Sequence, residues 1–221
     1  MAYMGDSFDL SFHAFRGYAH QPYLQLRGNE LVDEFQAIRA LGMNASWTLG
    51  QENEWVVRLE SAYIDTDRVR GLAQPSHWDT ILGLERTFFQ DFRLQLQGIA
   101  RTHFGWQNPA QLEGFLPAEL PFYTRLSTTN ALLLNYQERT RIGGSFRLAY
   151  QSPDFAWEPE IGGIGYVFGG SDYLFRPRLH YRWSDALRLT TGADVYGGDR
   201  NRPLGALYSI SALYLQAMMF F

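Results

Sequence analysis

Cysteine is absent from the 221 residues, and so is lysine. The first absence rules out a disulfide framework and any thiolate metal site. The second leaves arginine to carry all 19 basic charges against 23 acidic ones, and a net charge of −4 argues against nucleic acid as a partner. Long apolar runs are missing too, so no segment supplies the roughly 20 apolar residues of a membrane-spanning helix. No basic-then-apolar signal segment opens the chain; alternation begins almost directly after Met1, as expected of a mature chain given a starting methionine. There is no G-x-S-x-G elbow, no H-E-x-x-H helix and no phosphate-binding glycine loop. The expectation is a chain without catalysis, without a cofactor and without a metal.

What the sequence does have is alternation. Apolar and polar residues that trade places at every step mark a strand with two unlike faces. Ten stretches read this way: residues 8–17, 41–49, 55–63, 78–88, 92–103, 141–151, 155–163, 174–183, 187–196 and 207–221. In the first, Phe8, Leu10, Phe12 and Ala14 oppose Asp9, Ser11 and His13. In the fifth, Phe92, Leu94, Leu96 and Ala100 oppose Arg93, Gln95, Gln97, Arg101 and His103. Most of these stretches run to the 9–11 residues or so that a tilted strand needs to cross a bilayer.

Such a pattern also suits a soluble antiparallel sandwich with its apolar faces inward. Three features favour the membrane. Short connections alternate with long ones, the long ones being residues 19–33, 66–76, 104–139 and 198–206, with the modest GGSD of 169–172 filling the remaining long slot, a layout shared with outer-membrane barrels. Aromatics gather on the apolar face beside the short turns: Trp47, Trp55, Phe88, Phe92, Tyr150, Phe155, Trp157 and Trp183, with Phe221 closing the chain at the same height. Tyr63, Trp78 and Phe175 lie at the opposite ends, so two aromatic girdles bound an apolar band, as headgroup depth selects. Finally, ten is even, so the first strand can pair with the last, and a sheet in lipid must close.

With Leu213, Leu215, Ala217, Met219 and Phe221 in its final strand, the chain resembles a Gram-negative outer-membrane β-barrel. ERTFFQDFRLQLQ and RPRLHYRWSDALRLTTGADVY also resemble the carboxy-terminal part of a larger, poorly characterised porin-like family. The resemblance implies a single transmembrane up-and-down barrel over residues 1–221, integral to the outer membrane, with both termini periplasmic. It also implies the lipid bilayer as surroundings and the barrel-assembly machinery as a partner that reads the last strand. Oligomeric state stays open.

If the apolar face meets lipid, the charged face lines the lumen. It carries Arg58, Glu60, Glu85, Arg93, Arg101, Arg141, Arg147, Glu158, Glu160, Arg176, Arg178, Arg182, Arg188 and Asp194. The spacing suggests Glu158 and Glu160 between Arg147 and the pair Arg178 and Arg182, and Arg58 beside Glu85. An arginine-biased channel for small solutes or ions is one expectation. An interior filled by salt bridges, structural or partner-binding, is the other, since barrels of about eight strands hold only side chains. The long loop 104–139 holds STTNALLLNYQE, which predicts a short helix capped by Ser127 or Thr128, as an inward plug or an outward contact surface with Phe115, Phe122 and Tyr123. Asp65, Asp67, His77 and Asp79 flank another long loop and raise a third expectation, a hydrolase at the rim.

Overall fold

The computed structural model describes residues 2–5, 7–50, 55–67, 72–89, 91–112, 118–154, 156–167 and 170–220. In chain order the elements are β1 (Ala2–Met4), β2 (Phe8–Tyr18), β3 (Tyr23–Arg27), β4 (Glu30–Glu34), β5 (Ala37–Leu49), β6 (Trp55–Thr66), β7 (His77–Phe88) and β8 (Phe92–His103). Helix α1 (Leu120–Leu133) follows, then β9 (Thr140–Tyr150), β10 (Trp157–Tyr166), β11 (Asp172–Ser184) and β12 (Leu187–Gly198). A short helix α2 (Pro203–Ala206) and a 3-10 turn (Tyr208–Ile210) lead to β13 (Ala212–Met219).

Ten of these strands, β2 and β5 to β13, are the ten that alternation predicts. Each pairs antiparallel with the next in an up-and-down sheet, and the registers set apolar-face residues opposite one another, Leu10 with Ala45, Leu41 with Tyr63, Leu59 with Leu82 and Leu84 with Leu96. Leu148 faces Ile161, Phe175 faces Val195 and Leu189 faces Ala217, so one face of the whole sheet is apolar and the other charged. The apolar face stays uncovered: Leu41 is 65%, Leu82 56% and Leu213 87% exposed.

Four details differ from expectation. The 19–33 connection is itself a hairpin, β3 with β4, turned by Gly28-Asn29 between the paired Arg27 and Glu30. Gly28 has φ +65°, as the first central position of a tight hairpin turn requires. The helix in 104–139 starts seven residues before Ser127, with Glu119 at its N-cap and Pro121 in its first turn. Proline's fixed φ and missing N–H suit that place, so Ser127 lies mid-helix and buried rather than as a cap. The last strand is only eight residues, because 207–211 turns instead of extending.

The fourth is the seam. Among the described residues β13 pairs only with β12, and no ladder joins it to β2, so the sheet is open. The free edge of β2 is already partly taken: β1 pairs with it at Asp9, Leu10 and Ser11. Alternation specifies faces, not which strand takes an edge, so the sequence could not exclude this.

Candidate functional site

Charge on the polar face is organised as cross-strand pairs. Arg58 donates to Glu85 at 2.6 Å, and Arg93 approaches the other Glu85 oxygen at 3.9 Å. Arg101 grips Asp79 with two bonds of 2.6 Å, Arg147 holds Glu160 through Nε and Nη2, and Arg176 holds Asp194 at 2.7 and 3.0 Å. For Arg101 and Arg176 this is the parallel fork for which guanidinium suits carboxylate, whereas both Arg147 donors converge on Glu160 Oε2. Each pair joins neighbouring strands, so the pairing follows from register: Asp79 lies opposite Arg101.

Glu158 is the exception. It faces His180 in the register but accepts a bond from Arg188, on the strand beyond. His180 turns aside to Thr190, at 2.8 Å, which lets Arg188 reach across. The expected bracketing of Glu158 and Glu160 therefore holds for Arg147 and fails for Arg178 and Arg182. Among the described residues neither Arg178 nor Arg182 forms an ion pair, and Arg178 Nε is buried without a hydrogen-bond partner. Glu60 likewise has no basic partner among them and borders a cleft of about 240 Å³ with Arg58, Glu85, Gln95 and Arg147. A second cleft, about 200 Å³, is bordered by Arg93, Glu158, Glu160, His180 and Arg188. These side chains meet solvent: Arg58 is 51% and Arg93 57% exposed.

Toward the end with the long loops the face changes character. Arg141 and Asp172 are 6% and 1% exposed, bonded at 2.9 and 3.0 Å. Arg141 also stacks on Tyr166 at 3.7 Å, and Asp172 accepts the Leu204 N–H of α2 at 2.9 Å. Asp172 was hidden in sequence by its place at the end of GGSD, which reads as a loop. Beside this pair, His77 and His103 lie directly opposite each other on β7 and β8, just past Trp78, with rings 5.4 Å apart. Each pairs its Nδ1 with a backbone carbonyl, Pro75 for His77 and Glu138 for His103.

These residues sit beneath a cap. Tyr23, Leu72, Ala73, Leu126, Ala131, Leu134 and Tyr136 form its apolar core, drawn from the β3–β4 hairpin, the 66–76 connection and α1. Asn130, fully buried, ties the three together: its Oδ1 accepts from Leu24 N–H, and its Nδ2 donates to the carbonyls of Leu24 and Leu72. Tyr136 Oη donates to Leu72 as well, and desolvation raises that phenol. Arg202 joins Glu138 at 2.7 Å, bringing in the last long connection. The described part of loop 104–139 therefore packs on the other loops rather than along the strand faces as a plug. Phe122 stays exposed and Tyr123 half-buried, their rings edge to face at 5.5 Å; Phe115 lies outside the described residues.

At the other end the aromatics pair along the ladder. Phe8 meets Trp47 at 5.1 Å, Trp55 meets Phe88 at 6.1 Å, Phe92 meets Tyr150 at 4.7 Å and Trp157 meets Tyr181 at 4.1 Å. Trp183 continues the row against Tyr181. Phe8 and Tyr181 are additions that register supplies. Phe155 and Phe221 fall outside the described residues.

The rim hydrolase finds little chemistry. His77 Nε2 is 4.0 Å from Asp79, whose two oxygens are both held by Arg101, and Asp65 accepts from Ser76. No group of three or more His, Asp or Glu among the described residues is placed to hold a metal ion. No helix among them is long and apolar enough to cross a membrane, which leaves crossing by strands untouched. The chain matches no protein-family model and no curated protein.

Proposed function

We propose that the chain is a transmembrane barrel of a Gram-negative outer membrane, and that it is a narrow, porin-like passive channel for small solutes or ions. The observation that carries this reading is the segregation of the sheet into one exposed apolar face, bounded by aromatic pairs, and one hydrated charged face. An apolar face of that extent needs a cover, and lipid supplies one along every strand at once. In the bilayer the free edges of β2 and β13 must be satisfied, so β13 closes on β2 and β1 leaves the stretch Asp9–Ser11. The exposed β13 is the strand that the assembly machinery would engage.

The lumen on this reading is less arginine-biased than its composition implies, because most of its arginines are neutralised by carboxylates across the ladder. Selectivity rests on the unpaired Arg178 and Arg182 against Glu60. Planar-bilayer conductance tests it: small, ohmic, weakly anion-preferring currents are expected, and Arg178→Glu should turn the preference toward cations. Absence of open current in the wild type and in Arg147→Ala would favour the second reading, a filled structural or partner-binding barrel, which the many ion pairs also suit.

A further inference from the structure

The apolar face carries very little charge. Along the ten long strands its described residues include only four ionised side chains, Arg16, Arg39, Asp65 and Arg86. Arg86 lies at the short-turn end, stacked on Trp55 at 4.8 Å and on Phe88 at 4.5 Å, as an arginine in an aromatic girdle should be. The other three share one row at the opposite end: Arg16 lies directly across from Arg39, and Arg39 across from Asp65.

That row is electrostatically incomplete. Like charges directly opposite each other on antiparallel strands repel. Asp65, the adjacent carboxylate, is engaged by Ser76 Oγ at 3.2 Å rather than by Arg39. Among the described residues neither Arg16 nor Arg39 has an ion pair or a side-chain hydrogen bond, and both are exposed. On the charged face, by contrast, most arginines have found a carboxylate, Arg178 and Arg182 excepted. Two adjacent guanidinium forks on a face otherwise built for hydrocarbon fit a doubly anionic, tetrahedral oxyanion that can accept from both as it reaches in from the side.

We propose that Arg16 and Arg39 form a binding site for the phosphate of a phosphorylated lipid headgroup in the outer leaflet. This rests on the membrane reading above, which puts the row at the lipid interface on the long-loop side, with Tyr18 beyond it. Phosphate screens the repulsion between the two cations, accepts from both forks and stays at headgroup height while its acyl chains lie along Phe12, Ala14 and Leu41.

The test uses the tag-free chain refolded into phosphatidylcholine vesicles, with energy transfer from the native tryptophans to a dansyl-labelled lipid A, either bisphosphorylated or phosphate-free. Wild type should prefer the phosphorylated lipid; each of Arg16→Gln and Arg39→Gln should cut that preference about fivefold, and both together roughly thirtyfold, while Arg86→Gln leaves it unchanged. Insertion without any preference overturns this site alone. Failure to insert, seen as full extraction by alkaline carbonate, overturns the membrane reading and the site with it. Equal binding of soluble pyrophosphate would overturn the headgroup assignment in favour of a free anion.

Discussion

Arg141–Asp172 and Arg58–Glu85 are the same chemistry in opposite surroundings. The first pair is almost wholly buried beneath the cap; the second stands in a hydrated cleft with half of Arg58 exposed. Water is what separates them. A buried pair broken on one side leaves an uncompensated charge that nothing can solvate, whereas an exposed pair exchanges one screened contact for hydration. The cap end of the molecule therefore carries stability, and the mid-wall carries charge that can change without unfolding the chain.

Three substitutions should break or sharpen that contrast. The largest effect is expected from Asp172→Ala, which strands Arg141 and frees Leu204 N–H; about 3–5 kcal/mol of stability should be lost in urea unfolding of the detergent-folded protein. Asn130→Ala follows, removing the amide that ties hairpin to helix; a cost of about 2 kcal/mol should appear, with faster hydrogen exchange at Leu24. Arg58→Ala should be smallest, below about 1 kcal/mol in unfolding, while still altering ion selectivity in bilayers.

The strand wall was legible because a period of two is written into every strand, and the faces it assigns hold in all ten. Register was not legible, and most of the site depends on it. His77 and His103 stand 26 positions apart in sequence, and only the β7–β8 ladder places them ring to ring. Arg188 reaches Glu158 across an intervening strand because His180 prefers Thr190, a choice no pairwise spacing encodes. The hairpin at Gly28-Asn29 was readable from its turn residues, since glycine-asparagine between extended runs signals such a loop. The cap itself, in which Asn130 bonds residues 24 and 72, is long-range packing without a local pattern.

The central claim, that the apolar face meets lipid and the charged face meets water, can be read directly because the chain has no cysteine of its own. Single cysteines at Leu82, Leu215 and Arg93, each nitroxide-labelled in phosphatidylcholine vesicles, report collisions with oxygen and with a water-soluble nickel chelate. The account predicts high oxygen and low nickel accessibility at positions 82 and 215, and the reverse at 93. Nickel accessibility at 82 and 215 equal to that at 93 would contradict it.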